Sequence, residues 1–299
     1  MRSAPPPSCR LFGILASEAP VAVLLRRGPT DWVEFIRWDT AGDTFERGQW
    51  FHGRIYERRG DLSPDGALFV YFAARHGARQ RDSDYTETWT ALSRPPWLTA
   101  LTLWPKGDCW DGGGRFDTAH PWRSGTYALH LNHFGPVPTH PKHPAPKHLR
   151  VTPNTHGRGE DLPIYDDILQ GKGWRREEAG NSKGELRALR GSHVWTKPEP
   201  QGRLVLRMEL ESIDFRRPGG PLHFGFALLR ASDGELVDVL DAQWADWDQA
   251  GRLVHSNGGK LFATRVAGTK GQHRDTVELA DFTGDTPAQV IAPERATRW

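Results

Sequence analysis

The amino-acid sequence predicts an all-β fold, on three observations: a high density of helix breakers, short runs of strand-forming residues, and turn chemistry between those runs. The 32 glycines and 23 prolines make up about 18% of the 299 residues, and few windows of a dozen residues escape one. Proline removes an amide donor and clashes with the preceding helical turn, and glycine weakens a helix interior by about 1 kcal/mol, so long helices are excluded. The recurring elements are Val21 to Leu25, Trp32 to Trp38, Ala67 to Ala73, Leu98 to Trp104, Leu204 to Leu210, Leu222 to Leu229, Gly234 to Leu240, Leu253 to His255 and Lys260 to Val266. These are strand lengths rich in β-branched and aromatic residues. Between them stand Thr40-Ala41-Gly42-Asp43, Pro64-Asp65-Gly66, Ser232-Asp233-Gly234 and Asn257-Gly258-Gly259, residues that supply tight hairpin turns. Antiparallel meanders follow.

Charge and cysteine content narrow the function classes. Thirty-nine basic residues against 37 acidic ones leave a formal charge of +2, so neither a nucleic-acid coat nor an acidic tail governs the design, and nucleic acid is not indicated. Cys9 and Cys109 are too few for a disulfide framework or a cysteine-based zinc site, which suits a reducing compartment. The first uninterrupted apolar run of five residues, Val21 to Leu25, is too short for an export signal or a membrane span. A cytoplasmic location away from membranes is expected.

The chain reads as a flexible N-terminal segment, residues 1–10, followed by one domain over 11–299. A His- and Pro-rich insertion is expected at about 120–163, because the closely spaced prolines Pro136, Pro138, Pro141, Pro144 and Pro146 hold an extended backbone. Trp174 to Gly184 reads as a loose surface stretch, and the acidic residues Glu160, Asp161, Asp166 and Asp167 as solvated.

An internal repeat organises the rest. Asp61-Leu62-Ser63-Pro64-Asp65-Gly66-Ala67-Leu68-Phe69-Val70-Tyr71 and Asp246-Trp247-Asp248-Gln249-Ala250-Gly251-Arg252-Leu253-Val254-His255 share a layout, with Gly251 in the place of Gly66 and Leu253 in that of Leu68. Aspartate accepts turn amides, proline sets φ at the first corner, glycine takes the positive φ, and the apolar run enters a buried strand. Asp61, Asp65, Gly66, Asp246, Asp248 and Gly251 are therefore assigned to turns. A weaker candidate is Ser93-Arg94-Pro95-Pro96-Trp97. The Ser-Pro-Asp-Gly turn with its following strand resembles the blades of TolB-like and WD40-like repeat proteins. That resemblance implies a β-propeller, in which each small sheet needs a neighbour to cover its faces. The clear turns lie 185 residues apart, which at roughly 40 to 45 residues per blade, with room for the insertion, implies about five blades. A β-sandwich with ordinary Asp-Gly turns is the competing arrangement.

Candidate chemistry is sparse. Seven of the 13 histidines fall between His120 and His156, but His130-Leu131-Asn132-His133 and His140-Pro141-Lys142-His143 lack a zinc-protease context, and no metal or cofactor is expected. Thirteen tryptophans are many for this length. Trp38, Trp104 and Trp247 at strand ends are expected in the core, whereas Trp97, Trp110 and Trp122, with Arg115, are candidate binding residues. In Asp108-Cys109-Trp110-Asp111-Gly112-Gly113-Gly114-Arg115 the glycines permit close backbone approach, and Cys109 becomes a nucleophile only if a base stands beside it. No phosphate-binding Gly-x-x-x-x-Gly-Lys loop is present. The expected function is thus non-enzymatic: a binding or scaffold protein whose propeller face holds a protein or other macromolecular partner. The alternative is a glycan-acting hydrolase with three or more carboxylates converging at the propeller channel, where the turn aspartates are poor candidates because backbone amides engage them.

Overall fold

The computed structural model describes residues 9–28, 31–76, 85–118, 125–153, 161–177, 193–214, 222–268 and 271–299. It is all-β, with five sheets following one another along the chain. Two compact units divide them, residues 1–171 with 283–299, and residues 172–282.

In the first unit, β1 (Arg10–Leu15), β2 (Val21–Arg27), β3 (Trp32–Asp39) and β4 (Thr44–His52) form an antiparallel meander. The second sheet centres on β7 (Phe69–Ala74), which pairs on one side with both β5 (Arg54–Ile55) and β6 (Asp61–Leu62) and continues to β8 (Thr88–Ser93) and β9 (Thr102–Pro105). A 3-10 turn, Glu57–Arg59, separates β5 from β6. The third sheet holds β10 (Gly114–Phe116), β11 (Tyr127–Leu131) and β12 (Leu149–Pro153), and its β11–β12 pair is parallel. Two of its strands come from the stretch expected to be an insertion. Only residues 132–148 between them run without regular structure. Prolines cluster there, while Tyr127–Leu131 and Leu149–Pro153 contain one proline, at a strand end, where the missing donor breaks no interior ladder.

β7 shows how these sheets share a core. All six of its residues are buried, and the two-residue period of a strand sends them to opposite sides. Phe69, Tyr71 and Ala73 join Val23, Leu25 and Phe35 of the first sheet, while Leu68, just before the strand, and Val70 join Phe116, Leu129 and Leu131 of the third. A strand covered on both faces reads as a continuous apolar run, as this one does. Trp38 and Trp104 are fully buried, as expected.

The second unit contains the fourth and fifth sheets. The fourth comprises β13 (Arg175–Arg176), β14 (Val194–Pro198), β15 (Leu204–Ile213), β16 (Leu222–Arg230) and β17 (Leu236–Leu240). The fifth comprises β18 (Trp244–Trp247), β19 (Leu253–Asn257), β20 (Lys260–Ala267) and β21 (His273–Asp281). Leu204, Leu206, Met208 and Leu210 alternate into the core from β15, and Trp247 is buried. Trp174, expected on a loose surface stretch, is also buried. Residues 178–184 of that stretch lie outside the described residues.

The repeated turn has the expected geometry and one more copy than the sequence revealed. In the second sheet Ser63 N donates to Leu68 O at 2.8 Å, Gly66 N to Ser63 O at 2.8 Å, and Leu68 N to Ser63 Oγ at 2.9 Å. Asp65 Oδ1 accepts Ala67 N at 3.1 Å. In the fifth sheet Asp248 Oδ1 accepts Ala250 N and Arg252 N at 3.0 and 2.8 Å. Asp61 and Asp246 occupy matching places, each accepting the next residue's amide on Oδ1, at 2.8 and 2.7 Å. The additional copy is Glu199-Pro200-Gln201-Gly202, where Glu199 N donates to Leu204 O at 2.8 Å and Gly202 N to Glu199 O at 2.8 Å. Glu199 Oε2 accepts Leu204 N at 3.3 Å in place of the serine hydroxyl. The three turns join β6 to β7, β14 to β15 and β18 to β19, each within its own sheet. Ser93-Arg94-Pro95-Pro96-Trp97 lies in the connection from β8 to β9 of the second sheet.

One helix, α1 (Asp161–Gly171), corrects the reading of the acidic cluster. Pro163 stands in its first turn, where a missing amide costs nothing, and Ile164, Tyr165, Ile168 and Leu169 bury one face. No helix among the described residues is long and apolar enough to cross a membrane.

Gly66 and Gly202 both have φ +73, but a Cβ on Gly66 would lie 2.7 Å from Val21 Cβ, whereas one on Gly202 would meet nothing within 4 Å. Gly202→Ala is expected to cost about 1–2 kcal/mol through φ alone and Gly66→Ala clearly more, measured by urea denaturation of each variant. Equal costs would contradict the packing described.

Candidate functional site

The glycine-rich loop between β9 and β10 is organised around a buried arginine. Arg59, in the 3-10 turn, is 4% exposed. Its Nη1 donates to the carbonyls of Cys109 and Asp111 at 2.8 and 2.5 Å, and its Nε to Asp161 Oδ1 of α1 at 2.6 Å. The guanidinium lies 4.7 Å from the Tyr56 ring centre and 5.4 Å from that of Phe72. Here the glycines serve close approach to protein. A Cβ on Gly113, at φ +81, would stand 1.8 Å from Arg59 O, and one on Gly112 would overlap the Phe72 ring. The loop wraps the arginine so closely that only glycine fits.

A second loop, after β11, is tied to the first. Gly112 N donates to Asn132 O at 2.7 Å, Asn132 N to Gly113 O at 2.9 Å, and Asn132 Nδ2 to Gly112 O at 3.0 Å. Thr90 Oγ1 accepts Gly113 N at 2.8 Å and lies 2.9 Å from His133 Nε2. His133 Nδ1 and Asn132 Oδ1 are buried and have no hydrogen-bond partner among the described residues. Burial, reinforced by the Lys106 charge, pushes His133 down to about 4, so its ring is neutral at pH 7.

These paired loops present two aromatic side chains to solvent, Trp110 at 61% and Phe134 at 79% exposure. Trp110 N donates to Asp108 Oδ1 at 2.9 Å, and Lys106 Nζ donates to the same carboxylate oxygen at 2.8 Å. Beneath Trp110, Cys109 is partly exposed and packs against Tyr56, Phe72 and Ala74. Tyr56 Oη donates to Cys109 Sγ at 3.4 Å, and burial followed by this bond pushes the phenol up to about 12.

Of the residues the sequence marks as binding candidates, Trp110 alone is shown open. Trp97 is 9% exposed, sunk in the β8–β9 connection with its amide donating to Arg94 O at 2.9 Å. Arg115 is committed to Asp167 of α1 through an ion pair. Trp122 lies outside the described residues. Asp161 and Asp167, expected to be solvated, pair with Arg59 and Arg115. Phe134, Tyr56 and Arg59 had no motif to mark them; the only signal for Phe134 was its place in the stretch with few apolar neighbours.

The carboxylates assigned to turns are engaged. Asp61 Oδ2 accepts Phe116 N at 2.8 Å, Asp65 Oδ2 accepts Tyr127 Oη at 2.6 Å, Asp246 pairs with Lys197 at 2.6 Å, and Asp248 with Arg252 at 2.7 Å. In the second unit, a cleft of about 450 Å³ is lined by Asp238, Asp241, His255, Gln272 and Arg274 among others. It gathers two carboxylates, of which Asp238 is paired with Arg274 at 2.6 Å. Burial lowers His255 from its ordinary value against the opposing Asp241 charge. Among the described residues, no group of three or more His, Cys, Asp and Glu is placed to hold a metal ion. With fold and site in view, the chain matches no protein-family model and no curated protein sequence.

Two outcomes follow. Arg59→Met leaves Asp161 and two loop carbonyls unpaired in a buried setting, which should destabilise the first unit by about 3 kcal/mol and abolish hydrogen-exchange protection of the Gly112 and Gly113 amides. Acid linkage should show at His133. An unfolded histidine titrates near 6.5 while the folded one titrates at about 4, so the unfolded chain binds more protons between those values. Stability contributed by the neutral ring is complete above about pH 6.5 and falls by about 3 kcal/mol as pH drops to 4. Denaturation midpoints of His133→Gln against wild type across that window check it, the variant losing less with acid.

Proposed function

We propose that the protein is a non-enzymatic binding or scaffold protein, built as a β-propeller of about five blades, that holds a protein partner on the Trp110 face. The observation that carries this reading is the exposure of Trp110 and Phe134 on loops fastened to each other and to a buried arginine. Large aromatic side chains presented without conformational freedom lose little entropy on binding and gain most from desolvation, which is why they dominate interface energetics. The near-balance of charge, +2 over the chain, favours an apolar protein segment over a polyanion.

Three features support the propeller. Five sheets succeed one another in chain order, and a related turn closed by a glycine amide joins consecutive strands in three of them. β7 buries both its faces against neighbouring sheets, which is what radial stacking demands. The chain end also returns to the first sheet. Arg26 Nη2 donates to Asp285 O at 2.9 Å, Gln49 Nε2 to Val290 O at 3.0 Å, and Arg47 pairs with both Glu34 and Asp285. A ring of sheets needs such a tie between its last segment and its first blade.

A photo-crosslinking amino acid placed at position 110, with Ile291, 83% exposed, as the control position, tests the assignment. Partners captured at 110 and absent at 291 are expected, and the Trp110→Ala, Phe134→Ala double variant should bind them at least about thirtyfold more weakly with unchanged circular dichroism. Equal capture at both positions, or unaltered affinity in the double variant, would reject this face.

A further inference from the structure

We propose that Cys109 is a reactive thiol that exchanges with low-molecular-weight organic disulfides, making the β9–β10 loop a site of reversible S-thiolation. The sequence places no base near it, but the fold does. His76, two residues past β7, and Glu87, just before β8, are brought side by side because Arg75 N pairs with Glu87 O at 2.8 Å as the β7–β8 ladder ends. His76 Nε2 stands 3.7 Å from Cys109 Sγ, and His76 Nδ1 stands 3.7 Å from Glu87 Oε2. Nucleophile, base and the group that orients the base thus lie in a row.

Tyr56 adds an O–H donor to the sulfur at 3.4 Å. Arg54 lies 4.3 Å from the centre of the Tyr56 ring, and Arg59, on its own 4.7 Å approach to that ring, holds the Cys109 carbonyl. The loop that bears the sulfur is therefore held in place. Access is open: Cys109 is partly exposed, and the His76 and Glu87 side chains are 55% and 48% exposed. Cys9, in contrast, is 5% exposed.

In the exchange, the Cys109 proton passes to His76 Nε2 and the sulfur attacks one sulfur of the disulfide. A new S–S bond forms to Cys109, the old one breaks, and the departing thiolate takes a proton from His76 or water. Two electrons move within the sulfur atoms, so no further oxidant is required. This chemistry holds whether or not the Trp110 face carries a partner.

An aromatic disulfide reagent that releases a coloured thiolate reads the step directly. On the full-length chain at neutral pH, one equivalent should be released at least about tenfold faster than from an unstructured cysteine peptide, and Cys109→Ser should remove that phase while leaving Cys9 unreactive until denaturant is added. His76→Gln should slow the phase severalfold, and Glu87→Gln less, with unchanged circular dichroism. Mass spectrometry after incubation with oxidised glutathione should place one mixed disulfide on Cys109. A rate no faster than the peptide's, or one unaffected by His76→Gln, would overturn the proposal.

Discussion

The Trp110 face depends on one buried guanidinium. A charge removed from water must be compensated at close range or it destabilises the fold by several kcal/mol, and Arg59 meets that requirement with two loop carbonyls and the Asp161 carboxylate. The same bonds fix the loop that carries Cys109 and Trp110. Flat aromatic contacts from Tyr56 and Phe72 complete the enclosure. Geometry then propagates outward, since Gly112 and Gly113, pressed onto Phe72 and Arg59, position the backbone that Asn132 grips.

Much of the strand pattern was legible because burial on one or both faces writes itself as apolar alternation or apolar runs. Each of the nine runs read from sequence coincides with or overlaps a strand. Two of those missed, β21 and β4, lack that imprint, whereas β1 and β11 bury apolar residues and were passed over all the same. β21, with the sequence His273-Arg274-Asp275-Thr276-Val277-Glu278-Leu279-Ala280-Asp281, is an edge strand with an exposed, charged face, and β4 mixes Glu46, Arg47 and Gln49 with aromatic residues. Such edges are held by backbone pairing and protected by charge, so hydrophobicity does not reveal them. Helix α1 was hidden for another reason: Pro163 looks like a breaker until its position in the first turn is known. The Glu199 turn escaped because a glutamate side chain folds back to do what a serine hydroxyl does elsewhere.

The site was legible only in part, and the failures share a cause. Trp110 could be named because tryptophan is costly to expose without use, and Cys109 because its loop is unusual. Trp97 and Arg115 have the same residue chemistry, yet tertiary packing buries one and pairs the other with Asp167. His76 and Glu87 approach Cys109 only across strand register, at sequence distances no local pattern encodes. Residue type limits what a position can do; the fold decides which positions meet.

Rigidity and reactivity at this face arise from the same packing. Fastening two loops through Asn132 and Thr90 leaves Asn132 Oδ1 and His133 Nδ1 buried with no partner among the described residues. Turning those side chains to water would break the contact of His133 with Thr90 and the bond from Asn132 Nδ2 to Gly112 O. The strain is tolerable because β8 and β11, which carry Thr90 and lead into Asn132, are anchored in the shared core by Leu92, Leu129 and Leu131. Stability invested in the sheets is thereby spent at the loops, on holding an exposed indole and a sulfur in fixed positions.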